Sequence, residues 1–198
     1  MYKSCCLDQD NYLLEVKDSK FFVYVFYVET QQQIGSFLAQ IKQKESKAKH
    51  IVYAYRLENN QSKFYESTEP KSSSGKKIQD VIFTHNLYNI LIIIARYKSN
   101  AQLGLSLLTR SYYNAASLVS TNKNICSLKQ EKVYTLEFDL VNLDKYLQIL
   151  KYYKENIYQK IILDKKAKLI SSLDNCYDYF QNKAEVNLYK INKLRIRI

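Results

Sequence analysis

His50 and His85 are the only imidazoles in the chain, so a nucleophilic triad, which needs a base aligned by an acid, would have to be built on one of them. His50 begins a strand-like run and His85 ends a helix-like one, and both read as structural or solvated. Glu66 and Glu69 are the remaining acid–base candidates. Three residues apart in a polar loop, they read as hydrated carboxylates, with Mg²⁺ ligation the rarer alternative. Cys5, Cys6, Cys126 and Cys176 form no Cys-x-x-Cys pair, and no His-Glu-x-x-His or calcium loop occurs. The thiols are therefore expected to be reduced, and no metal, cofactor or catalytic residue is assigned.

The cations offer more. Ser73-Ser74-Gly75-Lys76 falls short of a phosphate-binding P-loop, because Pro70 stands where the first glycine is needed and Lys77 where a hydroxyl is needed. A small-residue loop opening a helix still leaves backbone N–H groups free, and Lys71, Lys76 and Lys77 surround them, which makes this stretch either a phosphate-sized anion site or a solvated loop. Arg96, Tyr97 and Lys98 end a buried strand, where ligands of α/β sheets gather, and Arg110 points outward from the following helix. An arginine with an exposed tyrosine can hold a phosphate and stack a base; the alternative is a salt-bridged Arg96 and a core Tyr97. Lys165, Lys166 and Lys168 mark a hairpin turn, and Lys190, Lys193, Arg195 and Arg197 line the end of the chain. They form either a stripe that tracks phosphates or charge that protects an edge strand.

The charge behind these clusters needs discounting. Lys and Arg number 30 against 19 Asp and Glu, a net charge of +11, which favours nucleic acid or an anionic surface. Yet only five of these cations are arginines, and the chain holds 19 Tyr, 3 Gly, 1 Pro and no Trp, a bias that an AT-rich genome writes into any protein. With 46% hydrophobic and 25% charged residues, the composition is that of a folded protein with one or two domains. The first residues lack a signal-peptide apolar stretch, and the longest apolar run, around Ile90 to Ala95, is far below the roughly 20 residues that cross a bilayer. A cytoplasmic location without membrane contact is expected.

Alternating strands and helices must position these residues. Asn11 to Lys17 and Phe21 to Val28 predict a hairpin. Thr30 caps a helix whose stripe of Ile34, Phe37, Leu38 and Ile41 ends near Ser46. His50 to Leu57 and Lys63 to Glu66 form a second hairpin, and the Ser-rich loop after it opens a short helix from Lys76 to Thr84. Leu87 to Ala95 is a strand buried on both faces, followed by a helix from Gln102 to Ser120. The polar stretch Thr121 to Gln130 marks a boundary that divides a domain of residues 1–125 from one of residues 126–198. Beyond it, strands at Val133 to Leu140, Ile157 to Leu163, Lys168 to Leu173 and Val186 to Ile191 enclose helices at Leu143 to Leu150 and Asp174 to Lys183. This is the βαββαβ order of a ferredoxin-like unit, and the fold class is α+β.

Tyr53-Ala54-Tyr55-Arg56 after His50, then Glu69-Pro70 with Gly75-Lys76, Arg96-Tyr97, Leu103-Gly104, and Arg110-Ser111-Tyr112 with Ala115-Ala116 together resemble the IMPACT (YigZ) family in order and spacing. The resemblance covers roughly Asp18 to Ser120. It implies a bacterial two-domain protein, an N-terminal α/β sandwich like the second domain of a ribosomal protein followed by a domain similar to domain V of elongation factor G. It also implies association with translation or its regulation through RNA or ribosome binding, and it carries over no catalytic residues. The glycine loops depart from the family. Its Asp-Asp-Gly-Glu-Pro-Ser-Gly-Thr-Ala-Gly-Lys-Pro reads Glu66-Ser67-Thr68-Glu69-Pro70-Lys71-Ser72-Ser73-Ser74-Gly75-Lys76-Lys77 here, and its Arg-Tyr-Phe-Gly-Gly reads Arg96-Tyr97-Lys98-Ser99-Asn100. Glycine permits positive φ and close backbone approach, so a ligand seated on those loops is expected to be lost or held by lysines instead.

The expected function is non-catalytic RNA or ribosome binding through Lys71, Ser73, Gly75, Lys76, Lys77, Arg96, Tyr97, Lys98 and Arg110. A translation factor or ribosomal protein is the other expected partner, and the state is a monomer or small homo-oligomer. Two alternatives stand beside it. One is an enzyme acting on a phosphorylated or peptide substrate with Glu66, Glu69 and His50; the other is a protein–protein interaction module whose exposed tyrosines form a docking patch.

Overall fold

The computed structural model describes residues 2–5, 9–98, 103–120 and 125–197, without the side chains of 9, 10, 129–131 and 191–197. The chain divides into two compact units, Met1–Leu128 with Arg197–Ile198, and Lys129–Ile196.

The first unit contains β1 (Tyr2–Cys5), β2 (Gln9–Val16), β3 (Ser19–Tyr27), α1 (Gln31–Lys44), β4 (His50–Arg56), β5 (Ser62–Tyr65), α2 (Gly75–Thr84), β6 (Ile90–Tyr97), α3 (Leu105–Ser120) and the opening residues of β7 (Ile125–Asp139). Five strands form an antiparallel sheet in the order β2-β3-β6-β4-β5. Its central strand, β6, is apolar from Ile90 to Ala95 without alternation, because helices cover both faces. Val23, Val52, Ile92 and Ile94 face α2 and α3, meeting Ile78, Val81, Ala115 and Val119. Tyr24, Phe26, Leu91 and Ile93 face the other way, against Ile34 and Ile41 of α1. Helix α1 starts with a capping box: Thr30 Oγ1 accepts the Gln33 N–H while the Gln33 side chain accepts the Thr30 N–H. Two of the four N–H groups orphaned at a helix start are satisfied in this way.

Several boundaries differ from the sequence expectation for local reasons. Strand β6 begins at Ile90 rather than Leu87, because Leu87 N–H closes the end of α2 on Ile82 O and Asn89 takes a positive φ of 50° just before the strand. Helix α3 begins at Leu105; Gln102, the expected first residue, lies outside the described residues. The short β1 was not expected. It pairs antiparallel with Ile125–Leu128, so much of the polar stretch expected to be a linker is strand, since a ladder is made by backbone groups whatever the side chains.

The second unit contains the rest of β7, a 3₁₀ turn (Leu140–Asn142), α4 (Leu143–Tyr152), β8 (Ile157–Leu163), β9 (Lys166–Ser171), α5 (Tyr177–Gln181) and β10 (Asn187–Arg197). Strand β9 lies antiparallel between β8 and β7, and β10 also pairs with β7. Leu136, Phe138 and Leu169 pack on Tyr146, Leu150 and Phe180. Helix α5 is shorter than the expected Asp174 to Lys183, because the chain before it is tied down by buried Glu155, which accepts the Asn175 N–H and the Ser172 hydroxyl. On the other side of β7 and β9, Glu137 pairs with Lys168 at 3.0 Å and Lys166 at 3.7 Å. Two lysines of the expected basic turn are thus partly neutralised. The side chains of Lys193, Arg195 and Arg197 lie outside the described ones.

Candidate functional site

His50 and Arg96 are cross-strand partners on β4 and β6, so both side chains leave the same face of the sheet. They continue the rows of Val52 and Ala54 and of Ile92 and Ile94 that pack on α2 and α3, and strand alternation carries them into that layer. Glu69 reaches the same point from the loop between β5 and α2, and Tyr112 reaches it from α3. Arg96 Nη1 donates to Glu69 Oε1 at 2.7 Å, and the Tyr112 hydroxyl donates to the same oxygen at 2.7 Å. His50 Nε2 lies 3.7 Å from it, and Thr68 Oγ1 is 3.1 Å from His50 Nδ1. The Arg96 and Glu69 side chains are each 4% exposed. Beside them opens a cavity of about 320 Å³, lined also by Lys49, Lys98, Pro70, Leu103 and Leu108.

Burial, then the Glu69 charge and hydrogen bond, push the Tyr112 phenol far above its ordinary value, so it stays a donor. Among the described residues Arg96 Nε is buried without an acceptor, a cost of about 1–3 kcal/mol that makes the ion pair with Glu69 the more necessary. Burial pushes the His50 imidazole below its ordinary value; Glu69 pulls it back up, and Arg96, Lys49 and Lys98 push it down again. The folded protein therefore holds His50 neutral where the unfolded chain already binds a proton. Stability from this group is complete above the unfolded value of about 6.5 and declines as pH falls through it. Urea midpoints measured from pH 7.5 to pH 5 are expected to fall, and to fall less steeply in His50→Gln. Equal slopes in the two proteins would mean that His50 is not kept as a neutral buried ring.

Residues 17–120, more than half of the chain, match the Impact N-terminal domain. The chain belongs to that family. An IMPACT family member of Haemophilus influenzae is 29% identical over 104 residues, covering 50% of this chain and 50% of its own length. The IMPACT family member YvyE of Bacillus subtilis is 26% identical over 104 residues, covering 52% and 48%. The chain spans about half the length of these curated relatives. A crystal structure of a hypothetical protein shares the fold at a TM-score of 0.68 and 15% identity, over 96% of this chain and 97% of that one.

The Impact domain brings His50, Glu69, Arg96 and Tyr112, all members of the motifs quoted above, to one place, and it disperses most of the expected anion-binding residues. The free N–H groups expected at the start of α2 are occupied from within: Glu66 accepts from Ser72 N at 2.8 Å and from Ser74 N and Lys76 N at 3.5 Å. Ser73 is buried and its hydroxyl donates to Pro70 O at 2.6 Å. Gly75 serves packing, since a Cβ there would meet Tyr65 O at 2.4 Å. Lys76 and Lys77 both pair with Asp80 at 3.1 Å, while Lys71 is exposed. Arg96 and Tyr97 cannot act together on a ligand, because neighbours on a strand face opposite ways; Tyr97 instead donates to Glu45 at 2.8 Å at the end of α1. Lys98, two residues after Arg96, returns to the cavity face. Arg110 is exposed and lines a separate open hollow with Lys17 and Gly104. Ser99 and Asn100 lie outside the described residues.

Two features escaped the sequence reading. Glu69 is a buried ion-pair partner, not a hydrated loop carboxylate, and Lys49 joins the cavity wall. The available signal was the presence of opposite charges, Glu69 and Arg96, within one set of motifs. Ser72, standing where the family motif has a glycine, holds a φ of 61°, a conformation that costs a side-chain-bearing residue roughly 1–2 kcal/mol.

Proposed function

We propose that this protein is a non-catalytic, cytoplasmic RNA- or ribosome-binding protein associated with translation or its regulation, built as an Impact domain followed by a ferredoxin-like domain. Membership of the Impact family and the net charge of +11 support the translation association. The observation that carries the binding reading is the arrangement at the cavity, where the acidic group is already neutralised by Arg96 and exposed Lys49 and Lys98 remain at the wall. The enzyme alternative asks for two of Glu66, Glu69 and His50 within hydrogen-bond reach. His50 and Glu69 stand 3.7 Å apart, and Glu66 is held by backbone N–H groups elsewhere. In the second unit, Thr135, Glu137, Lys168 and Ile170 occupy the face of β7 and β9 away from the core, and none of these four described positions offers an aromatic ring on which a base could stack. We assign contact with RNA to the first unit, where Lys49 and Lys98 stand at the cavity wall.

Co-sedimentation with ribosomes and ribosomal RNA tests the proposal. Binding is expected at about 50 mM salt and is expected to weaken at about 200 mM by about tenfold for every two phosphates neutralised, because each neutralised phosphate releases counterions. A flat salt response, or no binding at either concentration, would sink it.

A further inference from the structure

The cavity beside Glu69 carries more than its ion pair requires. Among the described residues every contact to the Glu69 carboxylate falls on Oε1, so Oε2 is left as an acceptor. Lys49 and Lys98 line the same cavity as exposed cations, and both act electrostatically on His50 within it. Pro70, Leu103 and Leu108 supply an apolar wall. At about 320 Å³ the space lies at the small end of the roughly 300–1,000 Å³ typical of ligand sites, room for one nucleotide and not for a helix.

A bare phosphate would fit the lysines but would face the Glu69 carboxylate without offering it a proton. An amine would offer protons, yet Arg96 already neutralises Glu69, so a second cation gains little there. A neutral hydroxyl donor at one end and an anion at the other satisfy both walls, and acidic side chains bind ribose hydroxyls in this way. We infer that the cavity binds a single ribonucleotide, its ribose diol donating to Glu69 and its 5′-phosphate meeting Lys49 and Lys98. That nucleotide is either free or the 3′-terminal residue of an RNA strand, the one position in RNA that keeps both hydroxyls. The inference rests on the RNA-binding reading and deepens it, from a basic surface to a site for one nucleotide.

The test is equilibrium binding by the full chain of adenosine 5′-monophosphate, its 2′,3′-dideoxy analogue, and two short single-stranded RNAs that end in a free diol or in a 3′-phosphate. Adenosine 5′-monophosphate is expected to bind at least tenfold more tightly than the dideoxy form, and Lys49→Glu with Lys98→Glu to weaken it about tenfold. These lysines are exposed, so the double variant is expected to keep the wild-type melting temperature. If the RNA end is the source, the diol-ended strand binds about tenfold better than the phosphate-ended one; equal binding of the two strands, with the mononucleotide still bound, assigns the site to free nucleotide. No binding of the mononucleotide, equal binding of the dideoxy form, or indifference to the charge reversal overturns the inference. Ribosome co-sedimentation that persists in such a case leaves the broader reading intact, whereas nucleotide binding without co-sedimentation overturns that reading alone.

Discussion

Glu69→Ala is expected to cost the first unit about 3–5 kcal/mol, the range for removing one partner of a buried ion pair. The substitution leaves the Arg96 guanidinium, 4% exposed, without its 2.7 Å acceptor, and its Nε already lacks one among the described residues. It also orphans the buried Tyr112 hydroxyl. Urea denaturation at neutral pH reads the loss as a midpoint lowered by about 2 M for a slope near 2 kcal/mol/M. Two controls separate charge from packing. Tyr112→Phe removes a single hydrogen bond and is expected to cost about 1 kcal/mol. Pairing Glu69→Ala with Arg96→Met removes both charges and is expected to recover much of the loss, since replacing a whole buried pair by apolar groups is often nearly neutral. A Glu69→Ala variant within about 1 kcal/mol of wild type would show that no buried charge depends on it.

Gly75→Ala is expected to destabilise by about 1–3 kcal/mol, the cost of overpacking a well-filled site. The added Cβ would stand 2.4 Å from Tyr65 O and 2.8 Å from Tyr65 C. Those are backbone atoms of β5, which pairs with β4 through Tyr65, so relief requires moving a strand or the start of α2. Gly35 provides the opposite case. It lies inside α1 with nothing within 4 Å of an added Cβ, and Gly35→Ala is expected to stabilise by about 0.5–1 kcal/mol through helix propensity. Thermal melts of the two variants should therefore move in opposite directions. A neutral Gly75→Ala would mean that α2 does not seat against β5 as closely as the structure has it.

The elements that sequence patterns located well are those whose cause is local. The stripe of Ile34, Phe37, Leu38 and Ile41 and the cap at Thr30 lie within one helix, and the apolar run of β6 reports its own double burial. The order of strands and helices in the second unit was legible for the same reason. Where boundaries moved, a single residue or a distant partner was responsible: Asn89 in left-handed backbone delayed β6, and β1 drew Ile125–Leu128 into a strand from more than a hundred residues away.

The candidate site divides along the same line. Sequence alone singled out Glu69, Arg96, His50 and Lys98, and it read Arg96 with Tyr97 as able to work together on one ligand, whereas the strand that carries them turns the two side chains to opposite faces. The chain's charge, its family motifs and most of its helices and strands were likewise present in the linear order of residues, because hydrophobic periodicity and capping act over a few positions. Only the tertiary structure decided that Glu69 is buried between Arg96 and Tyr112, that Glu66 fills the start of α2 as an internal anion, and that Gly75 is needed for the backbone of Tyr65. The two Glu69 contacts join residues 27 and 43 positions apart. The partner of a charge, and hence whether it binds a ligand or holds the fold, is set by which distant segment arrives beside it.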